Sequence, residues 1–119
     1  MKILSPFGPK IAKLKFSSSI IKKINTEVDK IVAQKKLSKK YDYSKKLVGQ
    51  VKQEIELPKT FIKKNLDKLI TNSIRSFIKS TTGKNIKKVK IKNLWVVNQY
   101  ANEYNPVHYH DGHISGVGY

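Results

Sequence analysis

Apolar residues recur at helical spacing in two long stretches of the chain. The first follows the serines at positions 17, 18 and 19, a residue type that often caps helix N-termini, and continues to about Gln34. The second follows Pro58, which suits the first turn of a helix, and runs to the stop signal Gly83. We therefore predict two amphipathic helices, whose apolar residues pack into a core: Ile20, Ile21, Ile24, Val28, Ile31 and Val32 in the first, and Phe61, Ile62, Leu66, Leu69, Ile70, Ile74, Phe77 and Ile78 in the second.

The remaining pattern favours extended structure and loops. Lys35–Ser44 is polar and is predicted to be a loop. The residue types or alternation of four other segments indicate extended chain: Phe7–Phe16, Leu47–Leu57, Lys88–Lys92 continuing into Leu94–Val97, and Val107–His110.

The last six residues, Ile114–Tyr119, are strand-like and have no closing turn. An unpaired apolar strand edge is a liability that natural chains avoid. We therefore expect the chain to continue beyond Tyr119.

Composition narrows the chemistry. The 119 residues allow one domain at most, and the lack of cysteine excludes disulfides, thiolate metal sites and a cysteine nucleophile. No apolar run has the length of a signal peptide or a membrane span, so no membrane partner is expected.

The chain has a net charge of +17, and all of its basic residues lie in residues 1–93. Residues 1–93 form a basic, helix-rich part with a net charge of +19, and residues 94–119 carry −2. Twenty-four of the 25 basic residues are lysine, the exception being Arg75, and they are scattered over helix faces. Arginine is the residue that grips phosphates and bases bidentately, so we interpret most of the lysines as solvated surface.

All three histidines lie within six residues, at positions 108, 110 and 113. Imidazole is the commonest metal ligand, and alternate residues of a strand share a face. We therefore predict that His108 and His110 lie on one face of a strand as metal ligands. His113 follows Gly112 and can equally be a solvated loop residue, and Asp111 is an alternative ligand only if the strand ends before it.

The spacing of His108, His110 and Asp111 does not match the metallo-β-lactamase or cupin patterns. The block from Trp95 to Tyr119 instead resembles the 2-oxoglutarate/Fe(II)-dependent oxygenases of the phage and marine-bacterial type. The resemblance rests on a Trp-x-x-Asn strand, Asn105-Pro-x-His-x-His and a Ser115-Gly-Val-x-Tyr strand. Leu47–Glu54 is similar to the front region of that family, more weakly.

This resemblance implies an α+β fold in which N-terminal helices pack on the first strands of a double-stranded β-helix, or jelly roll, that Tyr119 leaves incomplete. Residues 94–119 would begin its metal-site segment. It also implies a cytoplasmic dioxygenase (host cytoplasm if viral) that uses Fe(II) and 2-oxoglutarate, with an unknown substrate.

By the same resemblance, His108 is the first iron ligand. His110 stands where better-known relatives have a carboxylate, so the third donor is Asp111 or is missing. Asn98 and Tyr100 share strand parity and are candidates for orienting the imidazoles or contacting 2-oxoglutarate. The distal histidine and the basic residue for 2-oxoglutarate would lie beyond Tyr119, so the 119 residues alone are expected to be inactive.

Two alternatives stay open. A zinc-dependent hydrolase would use the same imidazoles, and a non-catalytic basic binding protein would have an incidental histidine cluster. The metal content of the purified protein separates the three hypotheses. Iron with a 2-oxoglutarate-dependent spectral change favours the dioxygenase, zinc alone favours the hydrolase, and the absence of metal favours the binding protein.

The dispersed lysines predict weak, sequence-independent binding to nucleic acid. Titration of a labelled DNA duplex should show affinity that falls steeply with salt, because released counterions dominate such binding. Tight duplex binding at about 200 mM salt, a condition that strongly weakens purely ionic contacts, would contradict this interpretation.

Overall fold

The computed structural model describes all residues from Met1 to Tyr119 and has a mixed α/β architecture. Four helices accompany two small antiparallel sheets of two strands each. The helices are α1 (Ser18–Val32), α2 (Lys35–Tyr41), α3 (Lys59–Asn65) and α4 (Asp67–Thr82), and the strands are β1 (Lys2–Leu4), β2 (Ile11–Lys13), β3 (Gln53–Glu56) and β4 (Trp95–Asn98).

Helix α1 confirms the first predicted helix. Ser17 has extended backbone angles, and its hydroxyl oxygen accepts a hydrogen bond from the backbone N–H of Ile20 at 3.3 Å. This satisfies one of the donors that a helix N-terminus leaves free. The predicted apolar stripe then places Val28 and Ile31 in the core.

The core lies between the helices and one face of the β3–β4 sheet. Its fully buried members are Val28 and Ile31 of α1, Ile55 and Leu57 in and after β3, and Leu66 between α3 and α4. Strands β3 and β4 pair antiparallel, with Ile55 opposite Val96. Since Val96 also packs on this cluster, the sheet presents the even-numbered side of β4 to the helices.

The second predicted helix is interrupted at Leu66, so it forms α3 and α4. Leu66 has φ −122° and ψ −30°, outside regular helix geometry. The Asn65 side-chain amide donates to the carbonyl of Phe61 at 3.1 Å, one turn earlier in α3. The predicted end is confirmed, because Gly83 adopts a left-handed φ of 74° after Thr82.

The prediction of a loop at Lys35–Ser44 is wrong. Lys35–Tyr41 is helical, and Ser44–Lys46 forms a turn of 3-10 helix. Leu37 and Tyr41, one helical turn apart, both pack on the core. The lysines between them conceal this two-residue apolar face in the sequence.

The N-terminal segment forms a hairpin instead of one extended stretch. Strands β1 and β2 pair with Ile3 opposite Ala12. The hairpin lies against α4, where the Lys10 ammonium donates to the carbonyl of Thr81 at 2.8 Å.

Three predicted strands are not formed, and one of them, Val107–His110, is described with the histidines below. Lys88–Lys92 belongs to no strand, although Val89 and Ile91 are half-buried and the lysines are exposed as the alternation implied. Ile114–Tyr119 is also outside any sheet, and Val117 and Tyr119 are exposed. Neither segment has a neighbouring strand with which to exchange hydrogen bonds. None of the four helices combines the length and apolarity that crossing a membrane would require.

Leu66 provides a test of the core. Its side chain is 2% exposed between α3, α4 and β3, so Leu66→Ala should lower the free energy of unfolding by about 2–5 kcal/mol in urea denaturation. Val48→Ala, at a position that is 65% exposed, is the control. Equal stability of the two variants would contradict the core assignment.

Candidate metal centre

The β3–β4 sheet separates the helical core from a second cluster on its other face. Side chains alternate along each strand, so Glu54 and Glu56 share a face with Trp95 and Val97 across the ladder. On the far edge of β3, the backbone N–H of Tyr43 donates to the carbonyl of Glu54 at 2.8 Å. Strand β3 is therefore held from both sides.

The turn that precedes the histidines is fixed by its contact with residues 49–52. The N–H of Gln50 donates to the carbonyl of Tyr104 at 2.9 Å, and the N–H of Lys52 donates to the Glu103 carboxylate at 3.3 Å. A Cβ atom added to Gly49 would overlap the side chain of Asn105. Gly49 thus permits the close approach that anchors the Asn-Pro turn.

His108 and His110 point their imidazoles at each other. Their Nε2 atoms are 3.0 Å apart, and the rings meet edge to face. The predicted strand is absent, since residues 107–110 belong to no sheet. The alternation nevertheless holds, because Val107 and Tyr109 are 105% and 90% exposed while the two imidazoles come together.

The hydrogen bonds of His108 fix its neutral tautomer. Its Nδ1 lies 2.7 Å from the carbonyl oxygen of Pro106, which can only accept, so Nδ1 carries the proton. In neutral His108 the Nε2 lone pair is then free, and it accepts from the Nε2–H of His110. A metal ion that took the place of this shared proton would be bound by both Nε2 atoms. Protons would then compete with the metal for the same nitrogens, so the metal affinity would depend on pH.

A row of aromatic rings leads from the sheet to the imidazoles. Tyr43 stacks on Trp95 with centroids 5.1 Å apart, and Trp95 meets the ring of His110 at 5.6 Å. The Lys46 ammonium also lies over the Tyr43 ring, 4.6 Å from its centroid. The row links the histidine pair to β4.

Glu54 is the unusual residue on this face. It is 1% exposed, and neither carboxylate oxygen has a hydrogen-bond partner. Burial raises the pKa of its carboxyl above the ordinary 4.5, and the charges of Asp42 and Glu103 raise the pKa further. Where the His108 imidazole is protonated, its charge lowers the pKa of this carboxyl by the smallest of the four effects.

The other candidate residues lie apart from the imidazole pair. Asp111 is exposed and forms an ion pair with Lys92 at 3.4 Å. His113 is exposed on its turn. Asn98 faces the helical side of the sheet and donates to Gln53, and Tyr100 is exposed with its N–H bonded to Glu103. Neither Asn98 nor Tyr100 has a hydrogen bond to an imidazole.

No group of three His, Cys, Asp or Glu side chains is gathered closely enough to hold a metal ion. The structure therefore supplies a pair of imidazole donors without an assembled third ligand. Comparison of the chain with protein-family models, with curated proteins and with solved structures finds no match. The resemblance of Trp95–Tyr119 to the oxygenase family stays a prediction.

Sequence reasoning missed Glu54, although a signal for it was present. The chain has only eight acidic residues, and two of them, Glu54 and Glu56, alternate with Ile55 and Leu57 in one extended segment. Alternation places both carboxylates on the face opposite the core. Which of them is buried depends on Tyr43 and β4, and their positions are set by the fold.

The burial of Glu54 has a testable pH dependence. Its folded-state pKa is raised, so its contribution to stability is fully present below about pH 4.5 and is lost as the pH rises through that pKa. Glu54→Gln keeps a neutral side chain at every pH. The metal-free variant should therefore melt above wild type near about pH 8, with the difference shrinking toward acid.

Melting temperatures across this pH range check the expectation, with Glu56→Gln as the half-exposed control on the same face. A Glu54→Gln variant that melts below the wild-type protein at alkaline pH would show that the ionised carboxylate is stabilising.

Proposed function

We propose that this chain carries the imidazole ligands of a mononuclear Fe(II)- and 2-oxoglutarate-dependent dioxygenase. The observation that carries the proposal is the pair of Nε2 atoms of His108 and His110, 3.0 Å apart. The resemblance of the surrounding segment to the oxygenase family supplies the choice of iron and co-substrate.

The separation of the pair suits a shared ion. Two nitrogens that each lie about 2.1 Å from an ion, at right angles to each other, are about 3.0 Å apart. Binding would keep this spacing but turn each ring, because the Nε2 atoms point at each other and both would have to point at the ion. Pro106 supports this role, since its carbonyl holds the His108 Nδ1–H and leaves Nε2 available to a metal.

The residues of the chain fit the metal better than the co-substrate. His108 and His110 would hold Fe(II), which when bound supplies open positions for 2-oxoglutarate and O₂. The chain's one arginine, Arg75, bonds Asn72 and the carbonyl of Lys87. Arg75 therefore does not provide a positive charge for the 2-oxoglutarate carboxylate beside the imidazoles. These 119 residues account for two metal ligands and not for the co-substrate site.

The chain's own residues prepare the site in three ways. The Gly49–Asn105 contact fixes the start of the histidine segment. The Trp95 ring contacts the ring of His110 and so helps to position it. The antiparallel β3–β4 pair provides the rigid support, and we propose that these strands belong to the jelly roll that the family resemblance implies.

Anaerobic titration with Fe(II), followed by 2-oxoglutarate, tests the proposal. We expect one Fe(II) ion per chain, and a visible absorption band that appears only when 2-oxoglutarate is added would identify the co-substrate as well. His108→Ala and His110→Ala should each weaken Fe(II) binding by at least about tenfold, because even the loss of a supporting group at metal sites costs that much.

The exposed His113 provides the matched control, and His113→Ala should bind like the wild-type protein. Zinc binding without any response to 2-oxoglutarate would favour a hydrolase. Absence of metal binding by the wild-type chain would overturn the proposal and favour a basic binding protein.

A further inference from the structure

Half of the residues from position 35 to position 46 are lysines. This lysine segment comprises helix α2 and the turn of 3-10 helix that follows it, and its six lysines are all exposed: Lys35, Lys36, Lys39, Lys40, Lys45 and Lys46. None of them belongs to an ion pair, because the chain's one ion pair joins Lys92 to Asp111. Asp42 is the one acidic residue among them, so the segment carries a net charge of +5.

Helix α2 gathers four of these charges on one face. Successive residues of a helix are turned by about 100°, so the lysines at positions 35, 36, 39 and 40 span an arc of about 140°. Leu37 and Tyr41 lie outside this arc and pack on the core. The loop predicted from the sequence would have given the lysines no common face. The helix that forms instead presents all four ammonium groups to solvent together.

Two tyrosine rings hold ammonium groups of the segment in position. The Lys40 ammonium lies 5.2 Å from the centroid of the Tyr41 ring, and the Lys46 ammonium lies 4.6 Å from that of Tyr43. Both rings are themselves fixed, since Tyr41 packs on the core and Tyr43 is buried against Trp95. A cation–π contact orients an ammonium group and leaves its charge in place. Part of the charged surface is therefore ordered before any partner binds.

The other basic parts of the chain lack this combination. Helix α1 has three lysines and two acidic residues in 15 residues, and α4 has three basic residues and one acidic residue in 16. Helix α3 has three lysines. Residues Lys84–Lys92 include five lysines, but they lie outside any helix or strand, and Lys92 is paired with Asp111. The lysine segment is thus the densest basic surface that helical backbone holds in a fixed arrangement.

We propose that the lysine segment is a docking surface for the phosphate backbone of duplex DNA. Such a duplex carries one negative charge per about 1.7 Å of its axis, so a compact group of ammonium groups meets several phosphates at once. The segment contains no arginine, asparagine or glutamine, the residues that read base edges bidentately. Binding is therefore independent of base sequence. This surface goes beyond the proposed function and does not depend on the metal site.

The same residues disfavour two other polyanions. Proteins that bind single strands stack the bases on exposed aromatic rings, whereas Tyr41 packs on the core and Tyr43 is buried. Helices that bind the surface of a membrane insert an apolar face between the lipid headgroups. The apolar residues of α2, Leu37 and Tyr41, are already used by the core. What α2 offers to a partner is charge alone, and that suits a duplex backbone.

Fluorescence anisotropy of a labelled DNA duplex of mixed sequence, measured with metal-free protein over a range of salt concentrations, tests the proposal. The Lys36→Gln/Lys39→Gln double variant removes two charges from the middle of the arc and keeps good helix-forming residues there. Its plot of log affinity against log salt should be shallower than that of wild type by about 1.8, because each phosphate contact contributes about 0.9. At about 0.1 M salt its affinity should be at least about tenfold weaker.

Lys22→Gln/Lys23→Gln is the matched control. It removes the same charge from exposed positions of another helix, α1. Its salt dependence should differ from that of wild type by less than one contact, about 0.9. Circular dichroism of both variants verifies that their helix content is unchanged. Vesicles of phosphatidylserine and phosphatidylcholine replace the duplex in a parallel titration.

Each outcome decides the proposal. Loss of duplex affinity and of salt dependence in Lys36→Gln/Lys39→Gln, with the control like wild type, supports the docking surface. Equal losses in both double variants would show that the charge acts without a defined surface and would overturn it. A wild-type chain that binds no duplex at low salt overturns it as well. Vesicle binding that depends on Lys36 and Lys39, while duplex binding does not, would overturn it in favour of a membrane surface.

Discussion

The antiparallel pairing of Gln53–Glu56 with Trp95–Asn98 is the constraint on which the rest of the structure depends. It joins the lysine-rich helical part to the histidine-bearing part across about 40 residues of sequence. Because side chains alternate across a sheet, this one pairing divides them between two environments. Ile55 and Val96 complete the helical core, while Glu54 and Trp95 lie on the opposite face, where Trp95 contacts the ring of His110. A shift of register by one residue would exchange the two sets.

The sequence predicted elements whose determinants are local. Ser17, the stripe of α1 and the left-handed Gly83 are local signals, and each was confirmed. Helix α2 was missed because only Leu37 and Tyr41 carry its apolar face among lysines, and their burial comes from the core they contact. Lys88–Lys92 shows the reverse case. It alternates like a strand, but alternation forms a strand only where another strand is available for pairing.

The candidate site divides in the same way. The spacing of His108 and His110 is enough to predict that their imidazoles meet, and they do so without a strand. The tautomer of His108 depends on the Pro106 carbonyl two residues earlier, which is also local. Glu54 could not be chosen from the sequence, since its burial depends on Tyr43 and on β4, which follows it by about 40 residues.

The central claim is that the Nε2 atoms of His108 and His110 are the donors of a metal site. Long-range ¹H–¹⁵N NMR of the imidazoles tests it directly, because three histidines give six resolvable nitrogens. On addition of one equivalent of Zn(II), a diamagnetic probe of the same donors, we expect the Nε2 signals of His108 and His110 to move to metal-bound positions. His108 Nδ1 should stay protonated against Pro106, and His113 should be unchanged. Coordination through Nδ1 of His108, or a spectrum that zinc does not alter, would contradict the account.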